Sequence, residues 1–183
     1  RGTDNTANMA TDANAMKWPY RKGGCDGCYV HRGFFKEANK GWATIKDEVA
    51  RLRNEFPEFQ ILVTGHSLGG AMATITAVDL GLIHGGSAVT LINFGSPRVF
   101  NKAGADFASS GVISIGARVV HDEDVVPHLP FRRMGYTHVV GELWEDAIGD
   151  LHDCNGQEDL KCGDQYPGRA LSKGIKDHGL YLG

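Results

Sequence analysis

Gln60-Ile61-Leu62-Val63-Thr64-Gly65-His66-Ser67-Leu68-Gly69-Gly70-Ala71-Met72-Ala73 is the stretch whose reading decides the fold. An apolar, β-branched run meets a serine set between glycines, and small residues at helical spacing follow. Phe59–Thr64 reads as a buried strand, and Ser67 to about Leu82 reads as a helix rich in Ala, Gly and Thr. Gly65-His66-Ser67-Leu68-Gly69 therefore fits G-x-S-x-G between a strand and a helix. A serine on that sharp turn has a strained backbone, and large neighbours would collide with the adjoining strand or helix, so the flanks are small. The helix starts at the serine, where its free N–H groups and dipole favour developing negative charge.

Outward from this turn the pattern repeats. Phe35, Ala38, Trp42, Ile45, Val49, Leu52 and Phe56 recur at steps of three and four, which predicts one long core-facing helix stopped at Pro57. Ala88–Phe94 predicts a second buried strand, Ala103–Ala108 a short helix and Ala117–His121 a third strand. Tyr136–Trp144 alternates and predicts a fourth strand, on an edge. A short amphipathic piece falls within Asn8–Trp18, and the tail from 145 reads as loops with a short helix near Gly168–Gly174. Strand, helix, strand, helix, strand predicts a mostly parallel sheet with covering helices, in one domain spanning residues 1–183.

The 183 residues are 42% hydrophobic and 22% charged, which is the make-up of an ordinary folded chain. A net charge of −3 leaves no basic footprint for nucleic acid and no polybasic membrane patch. No stretch has the apolar length of a transmembrane helix. The first residue is Arg1 in loop-like sequence, so the chain reads as a mature or truncated piece of a longer precursor. Four cysteines fall into two local pairs, Cys25 with Cys28 and Cys154 with Cys162. Both lie in Gly- and Asp-rich loops that can close short rings, and even, disulfide-like usage favours secretion. A zinc site is the weaker reading because the second pair lacks the C-x-x-C spacing. A redox site is weaker still, because Cys28 leads into Tyr29-Val30-His31 and not into a helix.

A serine hydroxyl is a poor nucleophile without a base. On a strand–turn–helix elbow the partners follow in the order acid, then histidine. His121-Asp122-Glu123-Asp124-Val125-Val126-Pro127 offers three carboxylates just past the third strand, and spacing does not choose among them. His31, His66 and His84 come too early. His128 stands too close to the acid, His138 alternates within a strand and His152 lies in an acidic loop. His178, in Lys176-Asp177-His178-Gly179-Leu180-Tyr181, sits near the end, where the base is expected.

These residues resemble the class 3 lipase family, most closely its filamentous-fungal lipases and feruloyl esterase relatives. The resemblance covers nearly the whole chain. Arg1-Gly2-Thr3 is similar to the oxyanion loop, Cys25-Asp26-Gly27-Cys28-Tyr29-Val30-His31-Arg32-Gly33-Phe34 to the disulfide leading into V-H-x-G-F, and Phe94-Gly95-Ser96-Pro97-Arg98-Val99 to F-G-x-P-R-V. Tyr136-Thr137-His138 with Glu142-Leu143-Trp144 resembles a structural strand, and Asp177-His178 before Tyr181 resembles the final histidine segment. The resemblance implies an α/β-hydrolase fold and a catalytic set of Ser67, Asp124 and His178. It also implies oxyanion donors at Thr3 and Leu68, a structural His66, and a lid after the oxyanion residue whose greasy face includes Met9, Met16 and Trp18. The family carries a helix and strands before R-G-T. Their absence here implies either that another chain, a separate N-terminal fragment, completes the sheet, or that the sequence is a piece of a longer one.

The function implied is hydrolysis of a carboxylic ester, foremost of triacylglycerol at a lipid–water interface, with no cofactor and no metal. Feruloyl-type and phospholipid esterases are the alternatives within that chemistry, and a non-catalytic lipase-like binding protein is the alternative outside it. Asp150, Asp153, Glu158, Asp159 and Asp164 form an acidic tail that could hold calcium, although a solvated disulfide loop is the plainer reading.

Overall fold

The computed structural model describes residues 16–165 and 171–182. A two-stranded antiparallel ribbon, β1 (Lys17–Pro19) and β2 (Tyr29–His31), precedes helices α1 (Arg32–Lys40) and α2 (Trp42–Glu55). Then come β3 (Ile61–His66), α3 (Leu68–His84), β4 (Val89–Phe94), α4 (Lys102–Phe107), β5 (Ser114–His121), β6 (Glu142–Glu145), β7 (Leu151–Asp153) and α5 (Leu171–Asp177). The main sheet runs β3-β4-β5-β6-β7, parallel from β3 to β6 and closed by antiparallel β7. This is the mostly parallel, helix-covered sheet of an α/β-hydrolase. Parallel strands need crossovers, and the Ala- and Gly-rich α3 packs closely on β3 and β4 because its side chains are small.

The core lies between α3 and the sheet. Ile75, Val78 and Leu80 of α3 meet Val89 and Leu91 of β4, all at most 1% exposed, with Phe34 of α1 and Phe100 behind them. Asp79 sits mid-α3 at 4% exposure, where an unpaired carboxylate would be costly. It accepts from Tyr20 Oη at 2.6 Å and pairs with Lys22 Nζ at 2.5 Å, which ties the segment after β1 to the central helix.

Four expectations need correction. The stripe from Phe35 to Phe56 is two helices, because the chain bends at Gly41, whose missing side chain offers no cap to α2. Nor is α2 core-facing: none of its residues is buried, and only Trp42 and Val49 pack against the core margin. Val49 and Leu52 also line a cleft of about 390 Å³ shared with Phe56, Phe59, Ile61 and Leu62. Within Tyr136–Trp144 only Glu142 onward is strand, while Thr137 makes a single bridge to Phe100. The acidic tail, expected to be loop, contains β7, while the short helix expected near its end is present as Leu171–Asp177.

Both expected cysteine pairs are disulfides, Cys25–Cys28 and Cys154–Cys162. The carboxylates of the tail are largely engaged by protein groups. Arg98, 2% exposed, holds Glu158 and Asp164 together, and Asp159 accepts from the N–H groups of Asn155 and Lys161. Burial works to raise the Glu158 carboxyl, but the hydrogen bond and charge of Arg98 together with the interactions of His138 outweigh it, holding the group well below the usual carboxylate range. Burial, reinforced by the charge of Arg118, keeps His138 neutral, with Nε2 donating to Pro127 O at 2.7 Å.

Candidate active site

Ser67 sits where β3 turns into α3 with φ 59° and ψ −128°, a positive φ that a non-glycine residue adopts only when its surroundings enforce it. Its N–H donates to Phe94 O at 2.9 Å, and its own carbonyl accepts from Gly70 N at 2.9 Å. The turn is therefore pinned to β4 on one side and to α3 on the other. The two glycines of the pentapeptide do different things. A Cβ on Gly65 would stand 2.3 Å from Gly69 O, so the strand and helix can meet only without it. A Cβ on Gly69 would meet nothing within 4 Å beyond its own helix, so this glycine leaves open space instead of relieving a clash.

The hydroxyl is 2.7 Å from His178 Nε2, and His178 Nδ1 is 2.8 Å from Asp124 Oδ2. Residues 111 apart in sequence are thus brought to one line of hydrogen bonds. Ser67 is 2% exposed and Asp124 is fully buried, while His178 keeps 16% of its side chain open. Asp124 is held from its other oxygen as well, where Oδ1 accepts from Val126 N at 2.8 Å. Of the three acids in the loop, Asp124 is the one that meets the histidine. Gly174 explains how α5 comes this near: a Cβ there would lie 2.6 Å from Glu123 O and 2.9 Å from Val125 N.

Two further groups complete the arrangement. Tyr181 donates its hydroxyl to Asp124 Oδ2, the same oxygen that His178 uses. Burial of the hydroxyl, then the Asp124 charge, raises Tyr181 well above the ordinary tyrosine range, so it stays protonated as a permanent donor. Gly95 lies beneath the pair at φ 54°, where a Cβ would stand 2.8 Å from Tyr181 Oη, 3.0 Å from Asp124 Oδ2 and 3.1 Å from His178 Cε1. Neither role was legible from spacing. The positive-φ glycine after a strand was visible only as a turn signal.

Leu68 opens α3 directly after Ser67, and the next N–H groups of that first turn, those of Gly70 and Ala71, donate back to the Ser67 carbonyl. Thr3 and Met9 lie outside the described residues, as does most of the Asn8–Trp18 piece. Met16 and Trp18 are 58% and 47% exposed, and Lys17–Pro19 is strand, so Trp18 belongs to the ribbon and not to a helix. Trp18 lies under the Arg32 guanidinium at 5.5 Å. Chemically, the site has a hydroxyl, a base within proton-transfer reach, a buried carboxylate orienting that base, and a helix N-terminus beside them.

Comparison with known proteins agrees with this geometry. Residues 1–134 match the family model of the class 3 lipases. Secreted mono- and diacylglycerol lipase 1 of Fusarium solani is 35% identical over 175 residues, covering 88% of this chain and 50% of that protein. Lipase A of Sodiomyces alcalophilus is 31% identical over 155 residues, 75% of this chain and 37% of the relative. The chain thus spans about half or less of the length of these relatives. Among solved structures, a triacylglycerol lipase in which a serine protease triad forms the catalytic centre aligns with TM-score 0.87 at 29% identity, covering 100% of this chain and 69% of that one. Rhizomucor miehei triacylglyceride lipase aligns with TM-score 0.88 at 28% identity over the same shares. With most of its length matched by the family model, and with the fold of the solved lipases, this chain belongs to the class 3 lipase family.

Proposed function

We propose that the chain carries the catalytic machinery of a secreted serine ester hydrolase acting on acylglycerols. The observation that carries this is the continuous line Ser67 Oγ–His178–Asp124, with spacings of 2.7 and 2.8 Å. His178 Nε2 takes the proton from Ser67 Oγ as the oxygen bonds to the ester's acyl carbon. The tetrahedral oxyanion is met by the Leu68 N–H and by Thr3; a donor of this kind is worth about 10²–10³ in turnover. Collapse breaks the bond to the alcohol oxygen, which leaves with the proton from His178. Water then adds to the acyl-serine, gives its proton to His178, and the carboxylic acid departs as Ser67 recovers its hydrogen. Asp124 holds the imidazole tautomer and stabilises its transient positive charge. The names of the relatives favour acylglycerols over aromatic or phospholipid esters, and the two disulfides accord with an oxidising, secreted setting.

A strand added to the open edge of β3, from a separate N-terminal fragment, belongs to the same proposal. Among the described residues β3 pairs only with β4, and Leu62 is 60% exposed on it. An uncovered apolar edge of this kind invites a further strand. The outer amides of β3 should exchange rapidly in the chain alone and slow when the fragment is added; slow exchange in the chain alone would remove this part of the reading.

The enzyme reading is tested with butyrate, octanoate and oleoyl esters, below and above micelle formation, alongside a phosphonate probe. Turnover and a covalent adduct on Ser67 are expected, both lost in Ser67→Ala. Folded wild-type protein with neither would leave a non-catalytic binding protein as the better reading.

A further inference from the structure

Two histidines outside the serine–histidine–aspartate line touch the main chain of the base itself. His66 ends β3, and its Nε2 lies 2.8 Å from the carbonyl oxygen of His178. His121 ends β5, and its Nδ1 lies 3.2 Å from the carbonyl oxygen of Asp177. A carbonyl only accepts, so each imidazole must carry its proton on the nitrogen named. Consecutive carbonyls at the end of α5 are thus held by the ends of two strands that flank β4. The rings contribute too. His66 lies 4.5 Å from the His178 ring at 33°, and Tyr181 is surrounded by His66 at 5.5 Å, Phe94 at 6.2 Å and His121 at 5.9 Å. Phe94 ends β4, so three adjacent strand ends form a cradle for the segment that carries both groups bonded to Asp124.

We propose that His66 and His121 are paired positioning residues that fix the backbone of residues 177 and 178 and thereby aim His178 Nε2 at Ser67 Oγ. This rests on the ester-hydrolase reading above. The need for such a clamp follows from the chain. His178 is followed at once by Gly179, and Gly174 leaves α5 without a side chain where it meets the acid loop, so the backbone on both sides of the base is intrinsically permissive. A shift of one ångström in the base costs far more in rate than in stability.

The test exploits the different nitrogens. The amide of glutamine reaches the position of an imidazole Nε2, and that of asparagine the position of Nδ1. In the full chain, hydrolysis of a soluble butyrate ester and the rate of phosphonate inactivation are measured for Ala, Asn and Gln at each position. His66→Ala and His121→Ala should each lower kcat and the inactivation rate about 5- to 10-fold with KM unchanged. His66→Gln should recover most of that loss and His66→Asn should not; at position 121 the order should reverse, with Asn restoring and Gln not. Asn and Gln behaving alike at both positions, a loss confined to KM, or full kcat in the alanine variants would overturn the clamp while leaving the enzyme reading intact. A wild-type chain without Ser67-dependent turnover would sink the enzyme reading, and the clamp with it. If the alanine variants do not fold, the Asn/Gln crossover decides alone.

Discussion

The hydroxyl of Tyr181 and the Nδ1 of His178 converge on a single oxygen, Oδ2 of Asp124. The carboxylate is fully buried, and its other oxygen is taken by a backbone N–H, so the tyrosine is part of what makes a buried negative charge tolerable there. Tyr181→Phe removes that donor and keeps the ring. We expect kcat to fall about 3- to 10-fold, with unchanged KM and a melting temperature lowered by only a few degrees. Burst labelling with a phosphonate checks this; an unchanged labelling rate would show the hydroxyl to be incidental.

Gly95 stands where a methyl group would touch all three of these groups at once. Gly95→Ala forces a Cβ to within about 3 Å of Asp124, His178 and Tyr181, at a φ that costs L-residues roughly 1 kcal/mol on its own. The folded protein should survive with its circular dichroism intact and its kcat/KM reduced on the order of 100-fold, because separating the acid from the base loses their shared geometry. Activity within a few-fold of wild type would mean that the loop can back away at no cost.

Asp79 predicts a stability effect without a catalytic one. Removing its charge leaves Tyr20 Oη and Lys22 Nζ facing a buried helix. Lys22 is 35% exposed, so part of its interaction is screened, and Asp79→Asn should cost about 1–3 kcal/mol by urea titration. Phosphonate labelling of the folded fraction should be unchanged. A double-mutant cycle with Tyr20→Phe should show a coupling, and strict additivity would contradict the network.

His31 makes stability depend on pH. Its ring is fully buried, stacks on Phe34 at 3.8 Å and accepts from Phe34 N through Nδ1 as the N-cap of α1; burial lowers its pKa to about 4. Between the ordinary histidine value near 6.5 and about 4, the unfolded chain takes up a proton that the folded one declines. Stability should therefore fall as pH drops through that window, by up to about 3 kcal/mol from this residue. The suppressed Glu158 carboxyl adds its own loss as pH falls below about 4.5, at the acid end of that window and beyond. His31→Asn keeps a capping acceptor and removes the titration, so its urea midpoint should vary less between pH 6.5 and 4.5 than that of wild type. Parallel curves for the two proteins would sink this assignment.

How much of this was legible in the sequence depends on whether the cause was local. The elbow at Ser67 was readable because a strand, a tight turn and a small-residue helix each leave a mark within a dozen residues. Its partners Asp124 and His178 came from chain order and family resemblance, and they do converge. Periodicity failed at α2, where apolar spacing at Ile45, Leu52 and Phe56 gives a helix but not what lies opposite it, and those side chains stay exposed. It failed again at Leu151–Asp153, three residues whose strand exists only through pairing with β6. His66 read as structural because nothing in Gly65–Gly69 reveals that a carbonyl 112 residues later will meet its Nε2.

The separation of Ser67 from its base has a consequence for biosynthesis. As the chain leaves the ribosome, the elbow and its sheet emerge well before residues 174–182, so a partly made chain holds a serine with no means of deprotonating it. The segment that completes the site is gripped mainly by the two histidines, Tyr181 and a bond from Leu182 N to Glu145. A protease that clips this segment would disarm the protein while leaving the sheet standing, so that loss of activity precedes loss of structure.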